Sequence, residues 1–254
     1  MARSTRALLL AIGFLTRLPS PAVREPQSAE FGLAVAFYPA VGLLIGLLLG
    51  SVAMAGSALW LAGLITAALV VAGWVAVTGA LHLDGVADTA DGWLGGQGDR
   101  EKTLAIMRDS RSGAAAVVAV STLLLLKFAA VASLIDLGVS LWKPLLAATV
   151  AGRMALTALL LTTRYARSTG LGSVFSDQLP RGIAWLSVAV SGVFLLVLCG
   201  WLGAGVLLLA AGGVFVFWRG WMCRRLGGFT GDTAGAMTEL IELTTLLAWA
   251  ASVA

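Results

Sequence analysis

Seven apolar stretches, each near the length of about 20 residues that a helix needs to cross a bilayer, dominate this chain. They run near 32–55, 58–81, 113–135, 140–163, 182–200, 202–218 and 237–253. Only helices and closed barrels satisfy their own backbone hydrogen bonds in lipid, and apolar runs of this length select helices. Hydrophobic residues make up 59% of the sequence and charged residues 12%, against about 25% charged in an ordinary soluble domain. The expectation is an all-α polytopic bundle, a single transmembrane domain over 1–254 that sits in the lipid bilayer. The fifth and sixth stretches are parted only by a short turn around Gly200 and Gly203, as in a tight hairpin. The last is weakened by Glu239 and Glu242.

Arg3 and Arg6 precede a short apolar run from Ala7 to Leu15, as in a secretory signal, but Arg17 follows and no clean cleavage site does. A retained re-entrant or amphipathic segment is expected there. Gly42, Gly46 and Gly50 repeat at the four-residue spacing that lets helices approach closely in lipid. The two cysteines, Cys199 and Cys223, read as apolar fillers.

Basic residues fix an orientation. Of the 17, four lie before the first span (Arg3, Arg6, Arg17, Arg24) and four after the second (Arg100, Lys102, Arg108, Arg111). Three follow the fourth (Arg164, Arg167, Arg181) and three follow the sixth (Arg219, Arg224, Arg225). That places 14 on one side. The positive-inside rule then predicts the N-terminus and the polar loops in the cytoplasm. Lys127 and Arg153 fall at membrane depth, where a charge is costly and faces the bundle interior. Arg153 is a candidate for an anion or an ion-pair role, with Glu239 and Glu242 as partners.

Polar chemistry concentrates in one connection, 82–112. Six of the 13 acidic residues (Asp84, Asp88, Asp91, Asp99, Glu101, Asp109) lie within it. Asp84, Asp88 and Asp91 stand at i, i+4 and i+7, one face of a helix. Acids near a helix N-terminus would account for one or two of them; three together suit a hard divalent cation such as Mg²⁺. His82, the sole histidine, is either a general base or an orienting hydrogen-bond partner. Asp109 is a candidate to complete a metal shell. Arg108 and Arg111 are candidates to grip phosphate oxygens, although a basic anchor ahead of the third span is the simpler reading of Arg111.

Two further loops suit an anion. Arg164, Tyr165, Arg167, Ser168, Thr169 and Gly170 form one; a basic interfacial loop with an aromatic anchor explains them equally well. Gly228, Gly231 and Gly235 around Thr230 and Asp232 form the other, where glycines permit close backbone approach and Asp232 could reach a metal or cap a helix.

Taken in order, Phe14-Leu15-Thr16-Arg17-Leu18-Pro19, His82-Leu83-Asp84-Gly85-Val86-Ala87-Asp88-Thr89-Ala90-Asp91-Gly92, Ile106-Met107-Arg108-Asp109-Ser110-Arg111-Ser112-Gly113 and Gly227-Gly228-Phe229-Thr230-Gly231-Asp232 resemble the cobalamin synthase family over essentially the full length. Arg108 stands where lysine is common, and Ser112-Gly113-Ala114 replaces a more usual run. The resemblance implies a transferase that joins adenosylcobinamide-GDP to α-ribazole or its 5′-phosphate with release of GMP. It implies Mg²⁺ as cofactor and residence in the bacterial inner membrane. Nucleic acid is not an expected partner, and a homo-oligomer is left open. On this reading Asp84, Asp88, Asp91 and Asp109 hold the metal, with His82 and Arg108 catalytic. Arg111, Arg153, Arg164, Arg167, Gly231 and Asp232 serve the substrate.

Two other readings compete. A CDP-alcohol phosphatidyltransferase also displaces a nucleotide monophosphate from an Asp-rich motif, but Thr89 stands where its arginine would fall, and no second aspartate pattern follows. A cation transporter would carry its carboxylates mid-span rather than in a connection.

Overall fold

A computed structural model describes residues 2–167 and 170–253 of the chain. Ser168 and Thr169 of the expected anion loop lie outside the described residues. Eleven helices follow in order: α1 Arg3–Leu15, α2 Ser28–Val35, α3 Tyr38–Ala58, α4 Gly63–Thr78, α5 Leu81–Gly96, α6 Arg100–Ile106, α7 Ala114–Asp136, α8 Trp142–Thr162, α9 Leu171–Asp177, α10 Arg181–Leu226 and α11 Gly231–Val253. The all-α class is as expected.

Local signals set several boundaries. Gln27 and Glu30 form a reciprocal capping box that starts α2. Asp99 accepts from the Lys102 amide at 2.8 Å and caps α6. Gly227, with φ at 76°, ends α10 in the left-handed conformation that glycine adopts without penalty.

Five helices are long and apolar enough to cross a membrane, and α4 with α5, bent by 88°, adds a sixth crossing if the pair is taken together. α10 is counted once in that number, but it is broken at Gly200, where φ is 70° and ψ 168°. Arg181 Nη2 donates to the Leu161 carbonyl at 2.6 Å and Arg219 Nη2 to the Thr162 carbonyl at 2.6 Å. An unbroken helix would hold those two arginines about 57 Å apart at 1.5 Å per residue. The segment therefore doubles back at Gly200, as the turn in the sequence leads one to expect.

α8 is the central post, with 83% of its apolar window buried. The glycine stripe of α3 faces it: a Cβ on Gly42 would meet the Thr149 carbonyl, on Gly46 the Thr149 hydroxyl, and on Gly50 the Trp142 ring. Small residues at this seam let two backbones touch, which is how helices gain dispersion energy where lipid offers no hydrophobic drive.

A charge network ties three helices together inside the bundle. Lys127 of α7 bonds to Glu239 at 2.6 Å and Glu242 at 2.5 Å, both on α11. Arg153 of α8 pairs with Glu242. The Lys127 ammonium also lies 4.2 Å from the centroid of the Trp74 ring on α4. Two cations and two anions balance, so the buried charge is neutral as a set. Arg153 is fully buried and is not among the residues that line the cavity described below. Of the two roles open to it, the ion pair holds.

The stretch 82–112 is not a plain polar connection, because it contains α5 and α6. Gly79 and Ala80, with φ at 60° and 58°, turn the chain between α4 and α5. α5 then lies across the N-terminal turns of α7 and α11. Asp91 on α5 accepts from the amides of Gly113 and Ala116, and Gly85 and His82 press on Asp232 and Gly235. A Cβ at Gly79 would run into the Arg17 side chain, and the left-handed conformation costs a non-glycine residue about 1–2 kcal/mol. Gly79→Ala is therefore expected to lower the detergent-solubilised protein's midpoint of thermal unfolding, checked by the fluorescence of its tryptophans.

Candidate active site

The bend delivers His82, Asp84 and Gly85 to a cavity of about 490 Å³ at the end of the bundle. α11 brings Gly231, Asp232 and Gly235 to the facing wall. The loop after α8 adds Tyr165 and Arg167, and the loop after α6 adds Arg108. Two loops distant in sequence are laced together to make that wall. The Phe229 amide donates to the Arg164 carbonyl at 3.0 Å, and the Ala166 amide to the Phe229 carbonyl at 2.8 Å. Gly228 is needed there because any Cβ would strike the Arg164 carbonyl.

This lacing sets Arg167 against Asp232, with Nη2 to Oδ2 at 2.8 Å. The Thr230 hydroxyl also approaches Asp232, at 3.3 Å. Asp88 stands one turn along α5 from Asp84. Burial, then the charges of Asp84 and Asp232, push its carboxyl up to about 7, partly offset by Arg167. Such a carboxylate group is short of positive charge.

The four expected metal ligands do not converge. Asp84 and Asp91 lie seven residues apart, about 10.5 Å along a helix axis at 1.5 Å per residue. Oxygens sharing one Mg²⁺ sit only about 2.1 Å from it. Both oxygens of Asp91 serve the amides that open α7, at 2.5 Å and 3.0 Å. Asp109 is held by Arg111, whose Nη2 donates to Oδ2 at 2.6 Å and whose own amide donates to Oδ1 at 3.0 Å. Those hydrogen bonds lower its carboxyl to about 2. Among the described residues, no three His, Cys, Asp or Glu side chains are gathered at metal-ligating distance. The carboxylates that do share the cavity region are Asp84, Asp88 and Asp232.

Several loop arginines close helix ends instead of facing the cavity. Arg164 Nε donates to the Gly227 carbonyl at 2.5 Å. Arg100 Nε reaches the Leu226 carbonyl at 2.8 Å, and Arg225 Nη2 the Trp93 carbonyl at 2.6 Å. Carbonyls left over at a helix C-terminus take a guanidinium readily. Arg108 lines the cavity and makes no ion pair among the described residues. His82 lines it too, almost wholly buried, with Nδ1 lacking a partner.

Sequence reasoning missed the aromatic half of this cavity. Phe14 from α1, Tyr38 from α3, Phe175 from α9, and Tyr165 with Phe229 from the laced loops form it. The Phe14 and Phe175 ring centroids lie 5.2 Å apart, and those of Tyr165 and Phe229 lie 5.3 Å apart. The cavity thus combines charged side chains with aromatic rings. Such a cavity accommodates an anionic group joined to a large flat or greasy body. The advance signals were Phe14 and Phe229, inside the first and last family-like blocks, and Tyr165 in the basic loop.

Comparisons with known proteins give the family. The description of cobalamin-5-phosphate synthase matches residues 7–250. The adenosylcobinamide-GDP ribazoletransferase of Pseudomonas fluorescens (strain Pf0-1) is 49% identical over 242 residues, covering 94% of this chain and 97% of that protein. That of Pseudomonas savastanoi pv. phaseolicola (strain 1448A / Race 6) is 50% identical over 241 residues, covering 94% and 96%. That of Pseudomonas aeruginosa (strain UCBPP-PA14) is 47% identical over 251 residues, covering 98% and 100%. No solved structure matches the chain. The phosphatidyltransferase alternative is not favoured by any of these relatives. With its length matched almost end to end, the chain belongs to the cobalamin-5-phosphate synthase family.

Proposed function

We propose that this chain transfers the cobinamide-phosphate moiety of adenosylcobinamide-GDP to the ribose hydroxyl of α-ribazole or of its 5′-phosphate. GMP is released, and adenosylcobalamin or its 5′-phosphate is formed. One observation carries the reading: Asp84, Asp232, Arg108 and Arg167 meet in a single cavity that five aromatic rings also line. The hydroxyl oxygen forms a new bond to the phosphorus that carries cobinamide, and the bond from that phosphorus to the GMP oxygen breaks. Arg108 and Arg167 bind the phosphate oxygens and disperse the charge that builds on them. The hydroxyl proton passes to an acceptor, for which His82 Nδ1 and the Asp88 carboxylate are the candidates. The aromatic rings seat the apolar body of a substrate and keep water from the phosphorus.

Asp84, Asp88 and Asp232 are the carboxylates that would hold a Mg²⁺ ion, because burial and mutual repulsion there call for a cation, and their oxygens would have to draw together around it. Bound Mg²⁺ would neutralise the diphosphate and the departing GMP. We place the protein in the bacterial inner membrane with this end of the bundle in the cytoplasm, as the arginine distribution supports.

Purified protein in detergent, given adenosylcobinamide-GDP, α-ribazole and Mg²⁺, is expected to release GMP, and excess chelator is expected to stop it. A proton on Asp88 competes with the cation. Lowering the pH through about 7 should therefore raise the Mg²⁺ concentration needed for half-maximal rate. A Mg²⁺ requirement flat across that range would count against the ligand assignment.

A further inference from the structure

Behind the Tyr165–Arg167 wall lies a second cavity of about 550 Å³. The two chambers share Leu160, Tyr165 and Arg167, so the partition between them carries the Arg167 guanidinium. The second is as polar as the first is aromatic. Arg164, Arg167 and Arg181 line it, with Ser173 and Ser176, and Asp177 is its single carboxylate.

Each of the three arginines spends one nitrogen on the protein among the described residues: Arg164 Nε on Gly227, Arg167 Nη2 on Asp232 and Arg181 Nη2 on Leu161. A guanidinium carries five N–H donors, so most remain available. Arg167 Nε and the Ser176 hydroxyl are buried with no partner among the described residues. Buried donors without acceptors are costly and rare in a finished structure, and here two of them border one cationic chamber.

We propose that this chamber binds the phosphomonoester of the acceptor nucleotide, so that α-ribazole 5′-phosphate is held by its phosphate while its ribose hydroxyl reaches past Arg167 into the first cavity. The assignment rests on the ribazoletransferase reading. The scale suits one ribose: phosphate and hydroxyl are separated by a few bonds, and the two chambers by the shared side chains of Leu160, Tyr165 and Arg167. Three cations around a dianion, with hydroxyl donors added, make the charge-assisted bonds that discriminate a phosphorylated ligand from its parent alcohol.

The test compares kcat/KM for α-ribazole 5′-phosphate with that for α-ribazole in wild type, Ser176→Asp and Asp177→Asn. Ser176→Asp sets a negative charge beside the phosphate and is expected to lower the ratio about tenfold, the worth of roughly one charge-assisted hydrogen bond. Asp177→Asn removes the one opposing charge and is expected to raise the ratio severalfold, chiefly through KM for the phosphorylated acceptor. The exposed position of Asp177 keeps this variant informative if the first does not fold. A ratio unmoved in Asp177→Asn, or a KM change falling on adenosylcobinamide-GDP instead, overturns the assignment. Repeating the wild-type assay in nanodiscs of phosphatidylcholine with and without phosphatidylglycerol separates the other phosphate source. Saturable competition between the anionic lipid and the phosphorylated acceptor alone would assign the chamber to a lipid headgroup and overturn the proposal. Absence of GMP release from either acceptor in wild type would instead sink the ribazoletransferase reading itself.

Discussion

Asp88→Asn is expected to reduce GMP release by about 10²–10³-fold, the usual loss when one preorganised electrostatic contact to a transition state is removed. Asparagine keeps the size of the side chain, and Asp88 donates to and accepts from no other side chain among the described residues. The bundle should therefore remain folded, with an unchanged elution volume and helical circular dichroism. The effect should appear in kcat and not in substrate affinity alone, because the charge matters most as the phosphate changes partners. Wild-type turnover in this variant would remove the carboxylate cluster from the chemistry. Asp109→Asn offers the contrast. Its carboxylate is engaged by Arg111 in an exposed loop, so its loss should cost far less.

The second large effect is on stability. Glu242→Gln leaves Lys127 and Arg153 with a single carboxylate between them, and an uncompensated buried charge typically costs about 3–5 kcal/mol. A fall of several degrees in the unfolding midpoint in detergent is expected, with lower yield of inserted protein. Adding Lys127→Met to Glu242→Gln restores neutrality, leaving Arg153 with Glu239 nearby, and should recover part of the loss. If the single variant were as stable as wild type, the network would be ornamental. The cation of Lys127 over Trp74 means that Met at this position also forfeits a ring contact, so full recovery is not expected.

The sequence made some of this legible and hid the rest for identifiable reasons. Apolar length announced the spans, and the glycine spacing of α3 announced a close seam, because both depend only on neighbours along the chain. Arg153 could be matched with Glu242 because charges at membrane depth have few options for pairing. The aspartates were harder. Positions 84, 88 and 91 do share a helical face, but a face does not reveal what it meets. Asp91 meets the opening amides of α7, where the helix dipole welcomes a carboxylate, and Asp232 arrives from far downstream to stand with Asp84 and Asp88. That partnership exists only after Gly79 and Ala80 turn α5 across the bundle. The arginines were harder as well, since a positive loop looks alike whether it lines a cavity, as at Arg108 and Arg167, or closes the C-terminus of a helix, as at Arg100 and Arg225. The aromatic lining has no spacing at all, because its five rings come from separate elements.

The buried quartet also constrains how the chain is made. Lys127 and its partner Glu239 are 112 positions apart, so the ribosome delivers both cations long before either acid. Through that interval α7 and α8 have no acid to pair with at that depth, until the last helix supplies its two glutamates. The C-terminal segment is thus the keystone of biogenesis, and a chain cut short before it would be cleared as waste with its reaction chamber never closed.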